Sequence, residues 1–350
     1  MRRLGIALGA AIAALILTTA STLACGGLIG PNGAVNLLRT TTLAGYHDGV
    51  EHYVTAFQFA GGGGKFGSIT PLPDVPSKVE KGGDWTLQRL IRETQPVLLD
   101  AAVRAAPSAS GAEEIMKVRI DALDLTVLKG GAADIGSWAK AHGFRLPPDA
   151  PEVLDFYAAR SQIFLAAAFD ADAARDRGQQ LGDGTPVHIT IPTDHPWVPL
   201  RILALGKNAA EQVQADVYLL TDHRPSLLPN PIGINGLELA HSASANESLL
   251  SDLRSDRGMD WVPSSGWLTQ VRIDAEARQL SYDLAVDETG SGNASRVAAG
   301  FDLPGSTPNR PVVDVVRVAL ALLVIVAGVA IIGGVMTGRR PGSPAPPSAA

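Results

Sequence analysis

Alternating apolar and polar residues indicate that the middle of the chain is rich in strands. In residues 51–60, aromatic side chains such as Tyr53 and Phe57 alternate with smaller or polar ones, which is the two-residue period of a half-buried strand. Asp48-Gly49 separates this run from the preceding one, and this dipeptide favours a tight turn between paired strands. The pattern predicts a β-hairpin here. Similar runs predict further strands at 115–128, 163–169, 187–191, 200–205, 215–220, 267–273 and 280–286.

Apolar residues spaced three and four positions apart predict a few short helices. We expect them at 84–92, where Asp84 is the candidate N-cap, and at 96–106, 137–142, 151–160 and 247–254. The short connections between successive strands favour antiparallel pairing over strand-helix-strand units. The predicted fold class is therefore α+β, with a mainly antiparallel β-sheet and a few helices in a domain spanning residues 25–286.

The N-terminal segment has the layout of a secretory signal peptide. Arg2 and Arg3 precede an apolar run over residues 4–17, which gives way to small and polar residues at 18–24. Charged, apolar and cleavage regions in that order direct a chain to export. We predict a signal peptide over residues 1–24 with cleavage before Cys25, and cleavage near Ala20 also fits the pattern.

Cys25 is a candidate lipidation site, because Leu23-Ala24-Cys25 resembles a lipobox. A lipobox usually has a large aliphatic residue at the position that Thr22 occupies here. An ordinary signal peptide that leaves an unmodified cysteine is therefore the alternative, and the downstream membrane anchor favours it.

A second apolar segment near the C-terminus predicts a transmembrane helix. Residues 318–337 contain no charged side chain, and at about 1.5 Å per residue they span the ~30 Å hydrocarbon core of a bilayer. We place the helix at 312–337 and a short cytoplasmic tail at 338–350, where Arg339 and Arg340 follow the span. Within the helix, the candidate positions for helix packing are Gly328, Gly333 and Gly334.

Between the domain and this helix, residues 287–311 are rich in Gly, Ser, Asn and Pro. This composition predicts a flexible stalk. The signal peptide, stalk and helix together predict a single-pass protein of the cell membrane, whose N-terminal domain lies outside the cytoplasm.

Charge and cysteine content narrow the possible partners. The net charge of −6 and the lack of clustered Lys and Arg argue against nucleic acid as a partner. Cys25 is the only cysteine, so the domain has no disulfide and depends on its apolar core.

The densest group of possible metal ligands is His47, Asp48, Glu51 and His52. Its spacing matches no zinc motif. In a strand, Glu51 and His52 also point to opposite faces. Asp48 is accounted for by the turn, so we predict no metal at this group.

The sequence Gly62-x-Gly64-x-x-Gly67 matches a dinucleotide fingerprint by letter, but Pro71 follows too soon for the required helix. A loop is the simpler interpretation. No nucleophile elbow is present either. We therefore predict no cofactor and no catalytic residue, and the sequence leaves open whether the protein is an enzyme.

Several segments in a fixed order resemble domain-of-unknown-function family 2330, a group of exported bacterial proteins. These segments are residues 24–27, 48–53, 71–73, 190–203 and 267–286. The similarity spans residues 25–286. It implies an envelope location and brings no known activity, cofactor or catalytic residue.

The leading hypothesis is a binding module of the bacterial cell envelope, tethered at the lipid bilayer and recognising another envelope protein or component. The candidate contact loops contain Gly64, Phe66, His195 and Trp197. One alternative is an envelope hydrolase with a site assembled from dispersed His, Asp and Glu side chains. A histidine and a carboxylate converging in one pocket would favour it. The other alternative is a helix-packing partner in a membrane complex.

Overall fold

The computed structural model describes residues 27–30, 33–34, 40–58, 66–94, 114–170, 173, 176, 178 and 184–306. No helix within these ranges is long and apolar enough to cross a membrane. The predicted signal peptide, Cys25, Gly64, the helix at 312–337 with its glycines, and the tail at 338–350 lie outside the described residues.

The described part of the chain is α+β and dominated by strands. The strands are β1 Gly27–Gly30, β2 Gly33–Ala34, β3 Thr40–His47, β4 Val50–Gln58, β5 Phe66–Leu72, β6 Lys78–Lys81, β7 Glu114–Ile120, β8 Leu123–Lys129, β9 Ile163–Phe169, β10 Gly184–Pro192, β11 Trp197–Val198, β12 Gln212–Thr221, β13 Ser226–Leu228, β14 Leu237–Ser244, β15 Trp267–Glu276 and β16 Leu284–Asp287. The α-helices are α1 Thr86–Thr94, α2 Ala132–Ala141, α3 Ala150–Ala158 and α4 Glu247–Ser255.

A seven-stranded sheet has the order β14-β15-β12-β3-β4-β10-β6. The predicted hairpin is confirmed, since β3 and β4 pair antiparallel around Asp48 and Gly49, which adopt φ values of 50° and 77°. Antiparallel pairing holds through this sheet with one exception: β3 and β12 run parallel. Parallel neighbours need a long crossover, which the chain between residues 48 and 211 provides.

Helices cover one face of this sheet. Leu43 and Val54 face α1 and α4 in one apolar cluster. Their neighbours Ala44 and Tyr53 point the other way into a larger cluster. This alternation is the expected consequence of the strand period, and it gives the sheet two apolar faces that both need cover.

A six-stranded sheet has the order β2-β1-β5-β9-β8-β7. Every residue of β9 is buried, and a strand buried at successive positions requires cover on both faces of its sheet. The larger cluster accordingly combines side chains of both sheets with Trp138 of α2 and Leu154 of α3. Three short strands, β11, β16 and β13, form a third sheet.

Three predicted strands differ from the structure. Of the strand predicted at 280–286, only the end is observed, as β16 Leu284–Asp287. Residues 115–128 form the hairpin of β7 and β8 instead of one strand, because Asp121 adopts a positive φ of 58° at its turn. Residues 201–204 form a 3₁₀ helix. The carboxylate of Asp283 accepts the backbone N–H groups of Leu200 and Arg201 there, so these donors are satisfied without a neighbouring strand.

The start of α1 is capped from a distant part of the chain. The helix begins at Thr86, so Asp84 is not its N-cap as predicted. Asp256 accepts hydrogen bonds from the N–H groups of Asp84 and Trp85, both at 3.0 Å, and from the Thr86 hydroxyl at 2.7 Å. The cap therefore links α1 to the end of α4.

The first part of the segment predicted as a stalk packs on the domain. Ala298 and Ala299 are buried. Arg160 donates to the carbonyl of Ala298 at 2.5 Å, and the N–H of Asp283 donates to the carbonyl of Ala299 at 3.0 Å. Residues up to Pro304 belong to the same compact unit as the sheets, whereas residues 307–311 lie outside the described ranges.

Candidate functional site

A cavity of about 510 Å³ lies beside β13, β14 and β15. The turn at residues 290–294 and the loop at residues 229–232 complete its walls. We call it the Arg224 cavity, after the only charged residue among the described residues that line it. Its volume is in the range of small-molecule sites, roughly 300–1,000 Å³.

Backbone geometry brings the two loops together at the cavity. β13 pairs with β16 antiparallel, which places the turn after β16 next to residues 224–228. Gly290 has a φ of 70°, and a Cβ at this position would collide with the carbonyl oxygen of Arg224. Glycine is required here by both its conformation and this close approach.

The apolar part of the lining is aliphatic and partly open to solvent. Leu227, Leu228 and Leu239 are only half-buried, and Ile232 is 69% exposed. Ala294 adds a smaller apolar surface. Aliphatic side chains left partly exposed around a concavity are typical of a surface that another apolar group covers.

The polar part of the lining contains unused hydrogen-bonding capacity. Arg224 is exposed and forms no ion pair within the described part of the chain, although its guanidinium carbon lies 6.0 Å from the ring centre of Trp267. Thr269 is 1% exposed, and its hydroxyl has no hydrogen-bond partner among the described residues. Ser242 is already engaged, since its hydroxyl accepts from the Trp267 indole at 2.9 Å.

Within the turn after β16, the carboxylate of Asp287 is satisfied by neighbouring residues. Asp287 accepts hydrogen bonds from the N–H and hydroxyl of Thr289, the hydroxyl of Ser291 and the N–H of Asn293. Although burial alone would raise it, these hydrogen bonds lower the pKa of Asp287 to about 2. The Asp287 carboxylate therefore stabilises the turn at 287–293 and forms no ion pair with Arg224.

A second polar cluster is buried on the helix-covered face of the seven-stranded sheet. Nδ1 of His52 lies 3.0 Å from Nε2 of His188, and the His52 ring stacks on Trp261 with ring centres 4.0 Å apart. Nδ1 of His188 lies 3.6 Å from a carboxylate oxygen of Glu80. Gly45 makes room for the stack, because a Cβ there would collide with the Trp261 ring.

The two histidines are neutral at neutral pH. Burial, followed by the charge that His188 would carry, lowers the pKa of His52 to about 3. Burial also lowers the pKa of His188 to about 4, although the Glu80 carboxylate opposes this shift. The histidine pair therefore lies next to the Glu80 carboxylate. None of these three residues lines the Arg224 cavity.

Glu51 lies on the opposite face of β4 from His52, as the strand period predicted. It is 1% exposed, and neither carboxyl oxygen has a hydrogen-bond partner of good geometry among the described residues. Burial raises the pKa of Glu51 to about 8, partly offset by the nearby backbone N–H of Trp197. The carboxyl group is therefore protonated at neutral pH.

The other two members of the group of possible metal ligands, His47 and Asp48, lie at or near the surface. Nδ1 of His47 lies 2.8 Å from a carboxylate oxygen of Asp222, and Asp48 forms the hairpin turn. No group of three or more His, Cys, Asp or Glu side chains suited to a metal ion occurs in the described ranges.

The predicted contact residues occupy different environments. Phe66 is buried and stacks on Phe169 at 4.6 Å. Trp197 is buried and lies 5.7 Å from the Tyr157 ring, so both side chains contribute to packing. His195 is exposed, and its role in partner contact stays a prediction.

Sequence patterns did not reveal the residues of the Arg224 cavity. Arg224 and Thr269 are far apart in the chain and belong to no motif. The Pro- and Gly-rich stretch at 225–236 is the one signal that could have marked a loop there. Loops held on a rigid sheet are common positions for binding residues.

A family model described as "Uncharacterized protein conserved in bacteria (DUF2330)" matches residues 19–285. No curated protein matches the chain.

Among solved structures, similarity is found to a mutated baculovirus P35 after caspase cleavage, with 7% identity, a TM-score of 0.39 and coverage of 73% of this chain and 98% of that one. The crystal structure of baculovirus P35 gives 10% identity, a TM-score of 0.37 and coverage of 71% and 96%. These values are too low to say anything about this chain.

Proposed function

This chain belongs to DUF2330, a family of uncharacterized proteins conserved in bacteria, and from that premise we propose that it is a membrane-anchored binding protein of the bacterial cell envelope. The domain lies outside the cytoplasm, the segment at 312–337 crosses the membrane, and residues 338–350 stay inside. The domain binds another envelope component at the Arg224 cavity.

The observation that carries the binding role is the mixed lining of the Arg224 cavity. Half-buried leucines provide an apolar wall, and the exposed guanidinium of Arg224, which forms no ion pair in the described ranges, offers hydrogen-bond donors. The described lining contains no His, Asp or Glu side chain for acid–base chemistry. Such a lining favours recognition of a ligand over its conversion.

The proposed placement is supported by the chain order. An apolar leader with preceding arginines stands first, and the uncharged run at 318–337 stands last. A leader of this kind starts export, and a later apolar run of this length stops it in the bilayer.

Cysteine labelling in intact cells tests the placement. We expect Asp260→Cys, at an exposed position of the domain, to react with a membrane-impermeant maleimide in intact spheroplasts. Ser343→Cys, in the predicted cytoplasmic tail, is expected to react only after lysis because the reagent does not cross the bilayer.

The natural chain, with Cys25 alone, provides the background labelling. Protection of Asp260→Cys in intact spheroplasts, followed by labelling on lysis, would contradict the proposed placement.

A further inference from the structure

We propose that the Arg224 cavity binds a small amphipathic anion, with a carboxylate or phosphate group on an aliphatic body. This inference rests on the proposed function, because it names the chemical class of the ligand for the same site.

The charge of the ligand follows from Arg224. The exposed guanidinium of Arg224, which forms no ion pair among the described residues, is suited to carboxylate or phosphate, which it can hold through two parallel hydrogen bonds. Two acids precede the cavity turn: the carboxylate of Asp287 is occupied by Thr289, Ser291 and Asn293, and Glu288 is not among the residues that line the cavity. A ligand anion therefore has no described carboxylate in the lining to displace or to repel it.

The apolar part of the ligand can be inferred from the apolar residues that line the cavity. Leu227, Leu228, Ile232 and Leu239 are aliphatic, and the described lining contains no aromatic side chain on which a flat ring could stack. Covering these partly exposed side chains removes apolar surface from water, which favours an aliphatic ligand.

The size and polarity of the cavity agree with this ligand. A volume of about 510 Å³ admits a medium-length alkyl chain with its headgroup. Polar residues, among them Ser226 and Asn230, line the cavity beside the leucines, so a ligand that joins a polar headgroup to an alkyl chain matches the mixed lining.

Equilibrium dialysis of radiolabelled octanoate against the full chain in phosphatidylcholine nanodiscs tests the inference, with empty nanodiscs as the blank. We expect saturable binding of octanoate and of octyl phosphate, and weaker binding of octanol. Arg224→Gln should weaken octanoate binding by about tenfold to a hundredfold, the range for a lost charge-assisted hydrogen bond, and leave octanol binding unchanged.

Two further variants control this result. Arg145→Gln removes an arginine that is also exposed but lies outside the cavity, and octanoate binding should not change. Ile232→Glu introduces a negative charge at a position that is 69% exposed and tolerates a polar side chain. It should weaken octanoate binding several-fold by repulsion.

Equal binding of octanoate and octanol, or unchanged octanoate binding in Arg224→Gln, would overturn the inference. Repeating the dialysis in phosphatidylglycerol nanodiscs distinguishes two sources of the anion. Loss of octanoate binding there indicates that a bilayer lipid fills the cavity, and retention indicates a free anion.

The two proposals fail separately. If Asp260→Cys is labelled from outside and octanoate does not bind, the ligand class is wrong and the placement stands. If octanoate binds and Asp260→Cys is protected, the placement is wrong and the ligand class stands.

Discussion

Replacing Asp283 by Asn is expected to lower the free energy of unfolding by about 3–5 kcal/mol, the cost of removing one partner of a buried ion pair. Asp283 is completely buried. One carboxylate oxygen accepts from the Tyr157 hydroxyl at 2.8 Å and from two backbone N–H groups, and the other accepts from Arg160 at 2.6 Å. The substitution leaves the Arg160 guanidinium, whose side chain is 4% exposed, without its counter-ion.

Urea unfolding of the full chain in nanodiscs, followed by tryptophan fluorescence, measures this loss. Asp260→Asn is the matched control, because Asp260 is exposed and its change should stay within about 0.5 kcal/mol. A loss of less than about 1 kcal/mol for Asp283→Asn would show that the Arg160 pair does not hold α3 to the segment at 283–299.

Glu51→Gln is expected to stabilise the protein by about 3 kcal/mol near pH 7. The folded protein raises the pKa of Glu51 from 4.5 to about 8, so at neutral pH the folded state must keep a proton that the unfolded chain releases. Gln needs no such proton and has nearly the same shape. Urea unfolding at several pH values measures the difference between the two proteins.

The sign of the pH dependence is fixed by the raised pKa. Below pH 4.5 the carboxyl group is protonated in both states, and the natural chain carries no penalty from it. As the pH rises toward 8, the unfolded state ionises first and the natural chain loses stability. The advantage of Glu51→Gln should therefore widen from pH 4.5 to pH 8 and then level off.

Comparing the natural chain with Glu51→Gln at each pH also removes the contribution of the buried histidines to the pH dependence of stability. His52 and His188 have lowered pKa values, so they reduce stability as the pH falls below 6.5. This effect is the same in both proteins and cancels. Glu238→Gln changes an exposed carboxylate and should show no widening difference, whereas a constant difference for Glu51→Gln would contradict the account.

Local patterns in the sequence were sufficient for the elements that local chemistry determines. The turn at Asp48-Gly49 needs positive φ at both residues, and Asp-Gly is a dipeptide that favours this conformation. The strand predicted at 163–169 coincides with β9, because a continuous apolar run suits a strand that is buried on both faces.

The sequence-based predictions were wrong where contacts with distant residues determine the local structure. The 3₁₀ helix at Arg201–Ala204 is next to N–H groups that donate to Asp283, and Asp256 caps α1 across 170 residues. The Arg224 cavity likewise depends on three strands and two loops meeting in space. Periodicity carries no information on such contacts, whereas the family could be identified because its segments follow a fixed order.

Native mass spectrometry of the full chain, released from its own membranes, is the most direct test of whether the Arg224 cavity holds an amphipathic anion. We predict an adduct with the mass of an aliphatic carboxylate or phosphate on the natural chain and on Arg145→Gln, and its loss from Arg224→Gln. An adduct retained by Arg224→Gln, or the absence of any adduct from the natural chain, would contradict this role for the cavity.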